Sequence, residues 1–166
     1  KDAIGVRLED LKNNPKKVIP ALCQWMEIKE EKTLYEMTAQ GKKWWGDSSA
    51  PNMPAFGKLN ESKVGNIFST NDRFVLNTLF YPFNVRFGYV EENLQQFKLD
   101  IKRVRPMLDQ VFDFEKNIIN RTKTSIEEFK KSGMYLYLRT RMLERWEILN
   151  KDYTYPNMLK PLKIKI

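Results

Sequence analysis

Apolar side chains recur every three or four residues along most of this chain, a spacing that predicts a mainly helical protein with one or two short strands. The first helix signal is Asn14-Pro15, in which asparagine serves as the N-cap and proline fills the first helical position. We expect a helix of about 12 residues from there. Its apolar positions are Val18, Ile19, Leu22, Trp25 and Met26.

Capping residues and prolines predict the next elements. Thr33 and Glu36 form a capping box, which favours another short helix. Ser69 or Thr70 caps a further helix, and we expect Pro82 to stop it. Residues 83–89 are rich in aromatic side chains and predict a short extended segment or a turn.

From residue 91 the pattern is helical almost to the end, with a kink or break expected at Pro106. Thr124-Ser125 followed by Glu127-Glu128 indicates a capping box for the next helix, which we expect to end at Ser132-Gly133. The last predicted helix covers residues 135–149 and is followed by an extended tail. Its apolar face consists of Leu138, Met142, Leu143, Trp146 and Leu149.

Residues 3–8 are typical of a short strand, which cannot be stable by itself. We therefore expect it to pair in one of two ways. Either the partner strand comes from another part of the protein or another chain, or residues 162–166 of the tail pair with it.

Residues 39–63 form a long irregular stretch, and a loop of this length is usually functional or disordered. The adjacent Trp44 and Trp45 argue against disorder. Together with Lys42 and Lys43 they offer aromatic faces and cationic donors, which suit an anionic ligand that contains a ring.

The composition excludes several classes of protein. A hydrophobic content of 42% argues against disorder, and no apolar run approaches the roughly 20 residues of a membrane span. The single cysteine, Cys23, rules out an internal disulfide and favours a reducing, cytoplasmic compartment, where we expect it to be an inert core thiol. Because the chain has no histidine and one cysteine, we expect no zinc site and no metal cofactor.

The net charge of +8 is concentrated in the C-terminal part. Residues 98–166 carry 16 Lys/Arg against 9 Asp/Glu, a net of +7. These basic residues mostly alternate with acidic ones along helical segments, which is usual for solvated helix faces. We therefore do not expect nucleic-acid binding.

Several segments resemble those of sulfotransferases, in the order found in that family. Val6-Arg-Leu-Glu-Asp-Leu11, followed by Asn14-Pro15 and residues 22–28, resembles the strand-to-helix segment of the family. Residues 41–49 are similar to a loop with the pattern G…W…G-N-S, and residues 56–63 resemble the cationic loop before the helix that closes over the nucleotide. Phe87-Gly88-Tyr89 resembles the F-G-Y that ends the family core. The sequence departs from the pattern at Leu8, where an aromatic residue is usual, and at Glu27, where a glycine is usual.

The resemblance covers roughly residues 3–90, and we expect residues 1–90 to be the C-terminal portion of an α/β P-loop-like sulfotransferase domain. Residues 91–166 match no family motif and would be a helical extension with an extended tail, packed with the first part as one unit. The family transfers a sulfuryl group from 3′-phosphoadenosine 5′-phosphosulfate to a hydroxyl or amine of a small molecule or glycan. Its phosphate loop and its base precede the segments found here, so we expect the chain alone to be inactive and assign no catalytic residue.

The resemblance also implies a set of ligand-contacting residues. By position, Lys58, Ser62 and Lys63 match the phosphate-contacting loop, and the paired tryptophans would line the nucleotide or acceptor cleft. Arg7 either pairs with Glu9 or Asp10 or faces the ligand. The full set of nucleotide-binding candidates is Arg7, Lys43, Trp44, Trp45, Lys58, Ser62 and Lys63.

A non-catalytic helical binding or assembly module, which contacts protein or a polyanion through its basic C-terminal helices, is the alternative. The sequence also leaves open whether the chain forms a homo-oligomer. We expect the aromatic residues near position 85 to lie in the core, with an acceptor pocket as the other interpretation. They are Phe80, Tyr81, Phe83, Phe87 and Tyr89.

Overall fold

The computed structural model describes residues 3–36 and 67–164, together with the backbone of residues 38–39 and 42–43. The described chain is mainly helical with a few two-residue strands, as predicted. It divides into two compact units. Unit 1 consists of Lys1–Glu61 and Leu159–Ile166, and unit 2 of Ser62–Met158.

A parallel pair of strands links the two ends of unit 1. Strand β1 (Ile4–Gly5) pairs with the later strand Lys160–Pro161, named β4, and the Leu162 N–H donates to the Gly5 carbonyl at 2.8 Å. The strand therefore pairs within the chain, at residues 160–162 of the tail. It is shorter than the predicted residues 3–8, because Leu8 already begins a helix.

Two helices follow β1. They are α1 (Leu8–Asn13) and α2 (Pro15–Met26), and the second confirms the predicted 12-residue helix. Asn14 is its N-cap residue, although its side chain makes no capping hydrogen bond. A 3₁₀ helix covers Lys32–Tyr35, so the expected capping box at Thr33 is wrong: the N-cap is Glu31, which makes no side-chain cap. Strands β2 (Thr38–Ala39) and β3 (Lys42–Lys43) form an antiparallel pair.

Glu27 ends α2 in the left-handed conformation, with φ 57° and ψ 38°. The Ile28 N–H donates back to the Cys23 carbonyl at 3.0 Å, the six-to-one hydrogen bond of a Schellman motif. Glycine is the usual residue at this position because it has no Cβ to crowd the backbone. A glutamate there is strained.

Unit 2 contains six helices within its described residues. They are α3 (Thr70–Leu79), α4 (Tyr81–Arg86), α5 (Leu94–Val104), α6 (Asp113–Thr122), α7 (Ile126–Lys131) and α8 (Gly133–Asp152). The break at Pro106 is confirmed, since a 3₁₀ helix covers Arg105–Asp109. The extended segment predicted after Pro82 is wrong: that proline lies in the first turn of α4, where its missing N–H costs nothing.

The core of unit 2 lies between α3, α5 and α8. The apolar face predicted for the last helix is confirmed, because Met142 and Leu149 are buried in this core and Leu138, Leu143 and Trp146 pack against it. The boundary suggested at residue 90 falls inside this unit, since α3 packs directly on α5. The buried core residues are Val75, Leu79, Phe97, Ile101, Val104, Leu108, Phe112, Met142 and Leu149.

A buried carboxylate joins the beginnings of two helices of unit 2. Asp72 and Ser69 form a capping box at α3, which confirms Ser69 as the cap. The same carboxylate accepts the backbone N–H groups of Asp113 and Phe114 at 3.0 and 3.1 Å, at the start of α6. Asp72 is only 2% exposed, so these hydrogen bonds replace the water that its charge would otherwise require.

A buried ion pair connects α6 to α8. Glu115 accepts the Phe112 N–H at 2.7 Å and a hydrogen bond from Arg139 Nη2 at 2.6 Å. The Arg139 guanidinium also lies over the rings of Phe112 and Tyr135, at 4.2 and 4.6 Å from their centroids. Aromatic faces and a carboxylate thus surround the buried cation.

Replacing Asp72 with alanine should destabilise unit 2 by about 3 kcal/mol, because three backbone N–H groups lose a charged acceptor. Urea unfolding followed by circular dichroism measures this change. Asp109→Ala is the matched control: it removes an exposed ion pair with Arg105 and should cost less than about 1 kcal/mol. Equal effects of the two substitutions would contradict the role given to Asp72.

Replacing Glu27 with glycine should stabilise the protein by about 1 kcal/mol, because the left-handed strain at this position disappears. Thermal unfolding measures the change. Glu31→Gly is the control, since Glu31 has an ordinary extended φ of −123°. Glycine there increases the entropy of the unfolded chain and removes an exposed ion pair with Lys29, which contributes little. A melting temperature no higher for Glu27→Gly than for the control would argue against a strained helix end.

Candidate functional site

Arg7 is the nucleotide-binding candidate whose side chain the structure describes. It lies two residues after β1 and occupies the N-cap position of α1, with φ −73° and ψ 127°. Arg7 is therefore placed just beyond the carboxyl end of β1.

The guanidinium of Arg7 forms an ion pair with Asp10, at 3.4 Å between Nε and Oδ2. Both side chains are about one-third exposed, at 31% and 29%. The pairing expected for Arg7 with Glu9 or Asp10 is thus confirmed at Asp10. Glu9 and Asp10 both lie in the first turn of α1, where a negative charge interacts favourably with the helix dipole.

The other candidates of the nucleotide site are described only in part or not at all. Lys43 belongs to β3, where its backbone pairs with Thr38. Its position places it next to the predicted tryptophan loop. Trp44, Trp45, Lys58, Ser62 and Lys63 lie outside the described residues, and their contacts with a nucleotide stay predictions.

Sequence reasoning missed an apolar cavity in unit 1, of about 320 Å³, between α1, α2 and the 3₁₀ helix. Cys23 is buried in its wall at 4% exposure, which confirms the expected burial of this thiol. The signal in the sequence was the apolar spacing of Leu8 and Leu11, which the strand prediction obscured. The lining residues are Leu8, Leu11, Lys12, Ile19, Leu22, Cys23, Met26, Leu34 and Glu36.

A more polar cleft of about 470 Å³ lies in unit 2, beside α3 and α4. Two of the aromatic residues expected in the core do not belong to it: Phe80 is 40% exposed and Tyr89 is 48% exposed. Tyr81 does pack against the core and also lines the cleft. The full lining is Asn77, Tyr81, Asn84, Tyr89, Val90 and Glu91.

Several basic side chains of unit 2 pair with acidic side chains of the same unit. Arg105 pairs with Asp109 and lies 5.5 Å from the centroid of the Trp146 ring. Arg103 pairs with Asp100, and Arg141 with Glu144. The alternation of charge in the sequence therefore corresponds to ion pairs along the helix surfaces.

Lys116 and Asp113 form a similar pair at 2.8 Å on α6. Their hydrogen bond lowers the pKa of Asp113 and raises the pKa of Lys116. Glu128 also has a lowered pKa, because the backbone N–H of Ser125 donates to its carboxylate in the capping box predicted at α7. Burial raises the pKa of Tyr155, whose hydroxyl donates to the Leu79 carbonyl at 2.6 Å. These shifts accompany structural contacts.

Within residues 3–36 and 67–164, no three His, Cys, Asp or Glu side chains come together as metal ligands would. The helices in the described part of the chain are all too short or too polar to cross a membrane. Comparisons with protein-family models, with curated proteins and with solved structures each found no match.

Tyr35 gives a pH-dependent test of the unit 1 geometry. Its hydroxyl donates a hydrogen bond to Glu30, which raises the pKa of Tyr35 to about 12. Since the unfolded value is about 10, the contact should stabilise the fold fully below pH 10 and be lost as pH rises through about 12. The difference in absorbance at 295 nm between the protein and its Tyr35→Phe variant reports this ionisation.

In that titration Glu30→Gln should move the midpoint down towards the unfolded value, because the acceptor loses its charge. Glu31→Gln is the matched control and should leave the midpoint unchanged. A midpoint near 10 in the unsubstituted protein would show that the Tyr35–Glu30 hydrogen bond does not form in solution.

Proposed function

We propose that this chain forms the C-terminal part of a sulfotransferase, which transfers a sulfuryl group from 3′-phosphoadenosine 5′-phosphosulfate to a hydroxyl or amine acceptor. The arrangement of residues 4–28 carries the proposal. A short parallel strand is followed by Arg7, by two helices and by a left-handed residue at the end of the second. The short strand before Arg7 and the helix after Asn14 agree with the strand-to-helix order of the resembling segment, although Leu8–Asn13 is helical rather than extended.

Glu27 departs from the family pattern in residue type but not in backbone conformation. The family usually has glycine at this position, and the backbone here adopts the conformation that favours glycine. The left-handed conformation would thus be kept at this position, although glutamate replaces the usual glycine.

The chemistry of the candidates suits the nucleotide. Lys58, Lys63 and the Ser62 hydroxyl would contact phosphate groups through charge-assisted hydrogen bonds. Arg7, at the carboxyl end of β1, would contribute a further cation and exchange its Asp10 partner for the ligand. Lys43, Trp44 and Trp45 would line the nucleotide or acceptor cleft.

The transfer itself is an in-line displacement at sulfur, in which donors around the bridging oxygens stabilise the transition state, as in phosphoryl transfer. The phosphate loop and the base of the family precede the segments present here. The chain would therefore supply the later, closing part of the site and need the earlier part for turnover.

One observation favours the alternative of a polyanion-binding module. Arg145 lies over the exposed ring of Phe80 at 4.9 Å, and Arg141 over that of Tyr137 at 5.4 Å. Exposed aromatic rings beside cations are the combination that binds single-stranded nucleic acids. Arg141 is also paired with Glu144, however, which reduces the charge it presents.

The coding sequence upstream of Lys1 gives the first test, and a longer gene product with a phosphate loop gives the second. In that product we expect transfer of radiolabelled sulfuryl from the nucleotide, and none from the 166-residue chain alone. Lys58→Ala combined with Lys63→Ala should lower kcat/KM at least about tenfold, because two charged phosphate contacts are lost. The control is Lys116→Ala, which removes a lysine that pairs with Asp113 on α6 and should leave kcat/KM unchanged.

Turnover by the pure 166-residue chain would contradict the expected incompleteness. If the longer product neither binds the nucleotide nor transfers sulfuryl, the proposal fails. Binding of a polyanion whose affinity falls steeply between low and moderate salt would then favour the alternative.

A further inference from the structure

We propose that the polar cleft of unit 2 is a binding site for a neutral carbohydrate. The cleft has a volume of about 470 Å³ and lies beside α3 and α4. The proposal goes beyond the nucleotide chemistry above and does not depend on it. Whether the bound sugar is also the sulfuryl acceptor does rest on the proposed function.

Local backbone geometry holds the walls of the cleft in place. After α4, Gly88 adopts a positive φ of 69° and turns the chain back. The N–H groups of Tyr89 and Val90 then both donate to the Asn84 carbonyl, at 2.8 and 3.4 Å. The turn therefore presents Tyr89 and Glu91 on the same side as the Asn84 side chain.

Tyr81 forms the rigid part of the wall. Its ring stacks on the buried Phe97 ring, with centroids 4.3 Å apart and 14° between the planes. Its hydroxyl accepts a hydrogen bond from the Asn93 N–H, just before α5. Because core packing fixes this ring before any ligand arrives, little conformational entropy is lost on binding.

The side chains in the cleft match the chemistry of a sugar ring. Within the described residues, no hydrogen bond occupies the side-chain amides of Asn77 and Asn84, and each offers donors as well as an acceptor. Glu91 adds a charged acceptor for hydroxyl groups. Tyr81 lines the cleft beside them and offers an aromatic surface to the C–H face of a sugar.

The lining also argues against other classes of ligand. No lysine or arginine lines this cleft, so an anion would meet only the negative charge of Glu91. A purely aliphatic ligand would leave the two amides and the carboxylate without hydrogen-bond partners. The apolar cavity of unit 1 suits such a ligand better. A divalent cation could use the same oxygens, and the experiment must separate it from a sugar.

The test is saturation-transfer NMR and calorimetry of the full chain with cellobiose, maltose, lactose and N,N′-diacetylchitobiose. We expect saturable binding of at least one of them, with a dissociation constant of about 1 mM. Asn77→Ala and Asn84→Ala should each weaken it about fivefold or more. The controls are Asn117→Ala and Asn120→Ala, exposed residues of the same type on α6, and they should leave binding unchanged.

Glu91→Gln is a second variant that keeps the shape of the cleft, and it should weaken binding with an unchanged melting temperature. The inference is overturned if none of the four sugars binds, if the control substitutions weaken binding as much as those in the cleft, or if calcium chloride binds at these residues and the sugars do not. Loss of sugar binding alone would leave the nucleotide proposal intact, because that proposal is measured by sulfuryl transfer.

Discussion

The carboxylate of Asp72 is the interaction on which unit 2 depends. It caps its own helix α3 and, 41 residues away in sequence, accepts the first N–H of α6. Helix α6 in turn carries Glu115, whose carboxylate binds Arg139 of α8. Three helices are therefore connected by buried carboxylates, which accept hydrogen bonds from backbone N–H groups and from Arg139, and the apolar core fills the space between them. Loss of Asp72 would leave buried backbone N–H groups without an acceptor, and loss of Glu115 or Arg139 would leave the other charge buried and unpaired.

Unit 1 is stabilised in a different way. Within its described residues only Val18, Ile19 and Cys23 are buried, and α1 contributes none of them. Its geometry rests instead on local devices: the Arg7–Asp10 ion pair, the Schellman end of α2 and the two-residue pairing of β1 with β4. A candidate ligand residue such as Arg7 thus sits on a part of the molecule with little core, where binding contributes stability of its own.

Features encoded within a few residues could be predicted from the sequence, and features that depend on distant partners could not. The caps at Ser69 and Ser125, the break at Pro106 and the helix after Asn14 all follow from neighbouring residues. The prediction for the region after Pro82 was wrong because of the missing N–H of proline. It ends a helix when it falls in the interior, but it is tolerated in the first turn of the next helix. At the candidate site, the pairing of Arg7 followed from its spacing to Asp10, but both cavities arise from packing between elements that no local pattern specifies.

The parallel pairing of β1 with β4 has a consequence for synthesis on the ribosome. Residues 62–158 form a continuous stretch, so unit 2 has all of its contacts once that stretch has emerged. Unit 1 must keep Ile4 and Gly5 unpaired until Lys160 and Pro161 appear, and the pairing then closes a loop of about 150 residues. Of the strands that the structure describes, β1 is therefore made about 150 residues before its partner, and its edge is open to wrong partners until β4 appears.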